Sequence, residues 1–186
     1  MNINAQTDPL TLACEMCDTV IRTYPVEKLP GPPGRFNYIQ GVFLLGMERC
    51  NALAEKPQYL AYIKDWADYM IDADGRIREQ QELLDDLMPA VLLIDLYRRT
   101  GEQKYKTALD STVARIKHWK RNRYGGFFHK AITPDQMWLD GLFMGGLLLT
   151  AYGEAFDHPE YFDEMHRQAM LMYEHIRDPK TGLYYH

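Results

Sequence analysis

Met137-Trp138-Leu139-Asp140-Gly141-Leu142-Phe143-Met144-Gly145-Gly146-Leu147-Leu148-Leu149 is the stretch on which the fold turns. It holds a single charge among apolar and small residues, and the apolar character continues to Tyr152. A helix apolar around most of its circumference is a buried helix. The next segment is different in kind. Beyond the break at Asp157-His158-Pro159, apolar and charged residues alternate with a helical period over 159–176, as on a helix with one solvent face. An inner helix followed by an outer one is thus the unit to look for elsewhere in the chain.

The unit occurs twice more. Tyr38 to Met47 and Leu87 to Tyr97 are apolar, and each is followed by an amphipathic segment with a similar opening. Those openings are Lys56-Pro57-Gln58-Tyr59 and Glu102-Gln103-Lys104-Tyr105, matching His158-Pro159-Glu160-Tyr161. The pattern predicts helices over 37–54, 58–73, 86–99, 103–119, 135–153 and 159–176. A seventh opens at Asp8-Pro9, a capping residue followed by a first-turn proline, and ends before Pro25. Gly/Pro clusters supply the breaks, including Leu29 to Gly34, Asp74-Gly75 and Tyr124-Gly125-Gly126. The fold class is all-α, built from hairpins with an inner and an outer layer. Counting back 21 residues from Tyr59, 20 from Tyr105 and 21 from Tyr161 reaches Tyr38, Asp85 and Asp140. Each lies near the start of its apolar helix, so hairpins packed side by side bring all three to one end of a central cavity.

Asp140 is the sharpest of the three. A carboxylate on a buried helix costs several kcal/mol unless it is paired, hydrogen-bonded or protonated. It is either a structural group held by a neighbouring loop or an acid/base. Gly141, Gly145 and Gly146 each cost a helix about 1 kcal/mol relative to Ala, which close approach of a helix or a ligand would explain. Asp85 and Asp86 precede Pro89, so capping and catalysis compete there; Asp86 suits the cap and leaves Asp85 to be explained. Phe36, Tyr38, Phe127, Phe128, His129 and Trp138 crowd the same region, with Phe127 and Phe128 better read as core and His129 and Trp138 as candidates for sugar contact. His118, His158, His166 and His175 lack metal-ligand spacing and read as surface or packing residues.

Composition removes other classes. The chain has 186 residues and a formal charge of −5, and no basic stripe suits it to nucleic acid. The N-terminus has no signal-peptide pattern and no apolar run is long enough for a bilayer, so a cytoplasmic protein that does not enter membranes is expected. Cys14, Cys17 and Cys50 leave an odd thiol and fit a reducing compartment; the C-x-x-C of Cys14 and Cys17 lies in a helical pattern and reads as buried packing.

Gly125-Gly126-Phe127-Phe128-His129-Lys130 and Pro134 to Met144 resemble glycoside hydrolase family 105, the unsaturated rhamnogalacturonyl hydrolases. So do Tyr38-Ile39-Gln40-Gly41, Leu84-Asp85 with Leu96 to Gly101, and Gly182-Leu183-Tyr184-Tyr185-His186, in order and over nearly the whole chain. The resemblance implies an (α/α)6 barrel of twelve helices, of which residues 1–186 are about the first half, truncated on the C-terminal side. It implies Asp140 as general acid/base and Asp85 as second carboxylate, with Tyr38, His129, Trp138, Met144 and His186 at substrate-contacting positions. It calls for no metal and no organic cofactor. The implied substrate is an unsaturated uronyl oligosaccharide from pectin, whose C4=C5 double bond is protonated and hydrated. An unsaturated glucuronyl hydrolase acting on glycosaminoglycan or ulvan fragments is the nearest alternative, and a helical-repeat interaction scaffold the alternative from another class. Half a barrel leaves inner helices uncovered. An apolar patch well beyond about 400 Å² finds a partner, so self-association through those helices is expected.

Overall fold

The tyrosine that opens each outer helix reaches back to the outer helix before it. The computed structural model describes residues 8–130 and 132–185. Its helices are α1 (Pro9–Thr23), α2 (Tyr38–Ala54), α3 (Pro57–Met70), α4 (Leu92–Thr100), α5 (Gln103–Lys117), α6 (Gly141–Met144), α7 (Gly146–Phe156) and α8 (Glu160–His175). Tyr59 of α3 donates its hydroxyl to the Cys14 carbonyl on α1 at 3.0 Å. Tyr105 of α5 donates to the Asp68 carboxylate on α3, and Tyr161 of α8 takes the Lys117 ammonium of α5 over its ring. The repeated tyrosine is therefore a lock between successive outer helices, buried each time. Its recurrence in the sequence has a packing cause.

The inner layer is α2, α4 with the 3-10 turn before it, and α7, which pack on one another, while α3, α5 and α8 pair with them as the outer members of three hairpins. Each hairpin closes through a residue in the left-handed region, Glu55 (φ 50°), Gly101 (φ 69°) and Asp157 (φ 58°). A left-handed residue at the end of a helix lets its backbone N–H satisfy one of the last carbonyls and turns the chain sharply; here the bonds go to Asn51, Tyr97 and Gly153. Gly41 permits the closest approach in the inner layer, since a Cβ there would lie 2.7 Å from Pro89 Cγ. Asp8 caps α1 through the Thr11 N–H, with Pro9 in the first turn, as expected. Cys14, Cys17 and Cys50 are free and buried, and burial pushes the Cys17 thiol up to about 12.

After every outer helix the chain makes a tight hairpin. The bridges are Ile71 with Ile77, Arg121 with Phe127, and Arg177 with Tyr184. Asp72, Asn122 and Asp178 each accept backbone N–H groups from two to four residues ahead, through the side chain. Such side-chain-closed turns are a property of Asp and Asn. Gly75, Gly125 and Gly182 then take positive φ. Isolated bridges are the only β-structure among the described residues.

Two predicted helices begin later than the periodicity suggests. Residues 84–91 form 3-10 turns, and α-geometry starts only at Leu92. Residues 135–140 are turn and loop, so the expected helix over 135–153 is α6 plus α7, parted at Gly145. Asp140 is accordingly not embedded in a buried helix; it stands just before α6, where its backbone carbonyl accepts from Phe143 and Met144. Gly146 is explained by Met165 of α8, whose Cε would lie 2.6 Å from an added Cβ, and Gly141 by Leu84. No helix among the described residues is long and apolar enough to cross a membrane.

Candidate active site

Three loops at the N-terminal ends of the inner helices meet around His129. The hairpin after α5 delivers it: from the bridge at Phe127 the side chains alternate, with Phe127 and His129 buried and Phe128 half-buried between them. The backbone of His129 is fixed on both sides. Its N–H donates to the Gln136 carbonyl at 3.0 Å, and its carbonyl accepts from the Leu84 N–H at 3.1 Å. The segments carrying Asp140 and Asp85 are thus tied to the same residue through its main chain.

The side chains repeat that connection. His129 Nε2 lies 3.2 Å from Asp85 Oδ1, and Nδ1 lies 3.5 Å from Asp140 Oδ1. The imidazole is 1% exposed, the Asp85 side chain 12% and the Asp140 side chain 31%. Asp85 Oδ1, His129 Nδ1 and Asp140 Oδ1 are nevertheless buried atoms without a hydrogen-bond partner, so these contacts are close approaches rather than formed hydrogen bonds. An unsatisfied buried polar atom costs about 1–3 kcal/mol. Three converging on one point form a place suited to proton transfer or to a polar substrate.

Trp138 completes the wall, stacked on the His129 ring with centroids 4.3 Å apart and planes 7° from parallel. Its Nε1 donates to Gln136 Oε1 at 3.0 Å, and the Lys130 ammonium lies 4.4 Å from the ring centre. A cavity of about 440 Å³ opens beside Trp138, with Tyr124 and His175 also on its lining.

Asp86 has a different task from its neighbour. Its carboxylate is fully buried and accepts from Arg35 Nε and Nη2 at 2.8 Å each, from Asn37 Nδ2 at 2.9 Å and from the Gln81 N–H at 2.7 Å. The hydrogen bond to Asp86 raises the Arg35 guanidinium above its ordinary value. The capping role expected for Asp86 is replaced by this anchor, because a fork of donors from residues 35–37 outcompetes nearby helix N–H groups. The anchor pins the turn that carries Asp85. Sequence reasoning missed it, although Asn37, which also caps α2 by accepting from Ile39 N–H, stands beside Tyr38 in the sequence.

The structure therefore brings Asp85, His129, Asp140 and Trp138 together. Tyr38 opens α2, half-buried against the core, and is joined to the group through Asn37 and Asp86. Met144 is buried on α6. His186 lies outside the described residues.

Asp85, His129 and Asp140 offer three ligand atoms within 4.8 Å of one another, a donor set a cation could use. The ring, however, presents Nε2 to one carboxylate and Nδ1 to the other. Both carboxylates thus approach the same imidazole, one near each nitrogen. Carboxyl groups and an imidazole so placed can give, hold and take up protons at a bound molecule.

Comparisons with known proteins give the family and the fold. The sequence profile described as Glycosyl Hydrolase Family 88 matches residues 12–186. A protein of Bacillus subtilis (strain 168) named unsaturated rhamnogalacturonyl hydrolase YesR is 26% identical over 161 residues, which are 78% of this chain and 43% of that protein. A solved glycoside hydrolase from family 105 of C. acetobutylicum ATCC 824 superposes with a TM-score of 0.84 at 30% identity, over 94% of this chain and 48% of the other. A possible member of family 105 from Salmonella enterica superposes with a TM-score of 0.77 at 21% identity, over 100% and 53%. The chain spans about half the length of these relatives, and its hairpins are about half of an (α/α)6 barrel. With the profile matched from α1 to the last residue, the chain belongs to Glycosyl Hydrolase Family 88.

Proposed function

We propose that this chain carries the proton-transfer residues of a hydrolase acting on unsaturated uronyl oligosaccharides, with Asp140 as general acid and base and Asp85 as the second carboxylate. The observation that carries the reading is the convergence of both carboxylates on His129, with unpaired oxygens held out of water. Of the two, Asp140 has the more exposed side chain and so the better access to substrate.

The substrate chemistry suits a single proton-transfer group. A terminal uronyl residue with a C4=C5 double bond is an enol ether, because C5 also bears the ring oxygen. Asp140 protonates C4, leaving an oxocarbenium ion at C5. Water adds at C5 and its proton passes to the Asp140 carboxylate, which restores the acid. The resulting hemiketal opens to a ketone, C1 becomes a hemiacetal, and the remainder of the oligosaccharide departs. No glycosyl-enzyme bond forms, so Asp85 need not be a nucleophile as in ordinary retaining glycosidases. Its role is to hold substrate and to fix the charge near Asp140.

Among such substrates we propose an unsaturated galacturonyl residue on rhamnose, supported by the name of the Bacillus subtilis relative. The test monitors loss of the conjugated double-bond absorbance with unsaturated galacturonyl-rhamnose and, in parallel, with unsaturated glucuronyl disaccharides. Asp140→Asn is expected to reduce turnover about 10²–10⁴-fold while the helical circular dichroism is kept. Near-normal turnover in that variant refutes the assignment, and faster turnover of the glucuronyl substrate refutes the preference.

A further inference from the structure

We infer that His129 is the positioning residue of this site: its imidazole spans the two carboxylates, so the orientation of Asp140 is set by Asp85 through the ring. This rests on Asp140 as the acid/base. The resemblance implies a sugar contact at His129, but a ring 1% exposed has almost no surface to offer a sugar.

Three independent restraints fix the ring. The main chain of His129 is bonded on both sides, to Gln136 and to Leu84. The indole of Trp138 lies parallel to one face. Each of the two nitrogens has a different carboxylate oxygen beside it, at 3.2 and 3.5 Å. A histidine placed only for packing has no need of an acid beside each nitrogen, and one that binds substrate must keep a nitrogen open. The carboxylates are themselves held differently. Asp85 sits on a turn clamped by the buried Asp86 anchor, whereas the Asp140 side chain has no capping hydrogen bond of its own. The ring transmits the rigidity of the first to the second. Because its nitrogens carry or accept protons, it does so without a bulky or apolar contact on either oxygen.

The experiment has two arms. In the first, the ring-nitrogen resonances of His129 are recorded by long-range ¹H–¹⁵N correlation in this chain and assigned by their loss in His129→Gln. Asp85→Asn and Asp140→Asn are each expected to move them, the first mainly at Nε2 and the second mainly at Nδ1. A His129 signal that ignores either replacement overturns the bridge. This arm needs no turnover, so it decides the inference even where the catalytic reading fails. In the second arm, His129→Phe is expected to lower kcat at least about 10-fold with KM within about twofold, since small misplacements of a reacting group cost rates of that order. His129→Gln, which keeps a donor and an acceptor, is expected to recover part of the loss. A rise in KM with kcat unchanged would make His129 a substrate contact and overturn the assignment.

Discussion

The ring of His129 lies flat against the indole of Trp138, 4.3 Å away and 7° from parallel. An offset aromatic pair contributes about 0.5–1.5 kcal/mol beyond its buried area. Trp138→Ala is therefore expected to lower the unfolding free energy by at least that amount, and Trp138→Phe to retain most of it. Urea titration checks the order. An alanine variant as stable as the parent would show that the stack contributes nothing.

Arg35 and Asp86 form the anchor beneath Asp85, with Asp86 fully buried and Arg35 partly so. Removing one member of a buried pair leaves a charge without compensation, at a cost of about 3–5 kcal/mol. Asp86→Ala is expected to lose about that much stability. Replacing both, as Arg35→Met with Asp86→Leu, is expected to recover a large part of the loss because no buried charge is left. A double variant no better than the single one counts against the pair as an electrostatic unit.

Burial, followed by the neighbouring charge of Asp95, pushes the Glu48 carboxyl from 4.5 up to about 7. A carboxyl raised in the folded state binds more protons there than in the unfolded chain between those values. Stability contributed by this group is full below about 4.5 and declines as pH rises towards 7. After discounting for the solvent that reaches a partly exposed group, the change is on the order of 1 kcal/mol. Glu48→Gln is expected to flatten that stretch of the stability profile, read from melting midpoints between pH 4.5 and 7.5. An unchanged slope removes Glu48 as its source.

Ile39 and Val42 are one turn apart on α2, an inner helix, and are 45% and 42% exposed. Apolar surface of this kind draws a partner, and a second copy of the chain is the partner we expect. Light scattering coupled to size exclusion should give a mass above 21.8 kDa that rises with concentration, and Ile39→Lys with Val42→Lys should bring it down. A constant monomer mass in the parent contradicts the expectation.

Much of the layering was legible in the residues. Tyr59, Tyr105 and Tyr161 marked the outer helices because each is buried against the preceding one, a local demand repeated at every hairpin. The meeting of Asp85 with Asp140 was implied by the same spacing. Its intermediary was not, since nothing in Phe127-Phe128-His129 shows that the third side chain lies between two acids. Asp140 was placed too deep because the apolar run from Met137 continues the helical pattern backwards, whereas the backbone of residues 135–140 instead turns to meet His129 through Gln136. The side-chain partners of Asp86, Arg35 and Asn37, lie about fifty residues away, a distance over which periodicity carries no information.

The hairpin after α5 has a consequence for how such sites diversify. From Phe127 to His129 the side chains alternate from face to face, and alternation is a parity: one residue more or less exchanges the two faces. A single-codon insertion after Gly125 would swing Phe128 towards Asp85 and Asp140 and carry the imidazole away, leaving both acids in place with a phenyl ring between them. A two-codon insertion would restore the parity while lengthening the loop. Descendants of such a gene can thus gain or lose the group between the carboxylates through indels counted odd or even, with no substitution at any of the acids.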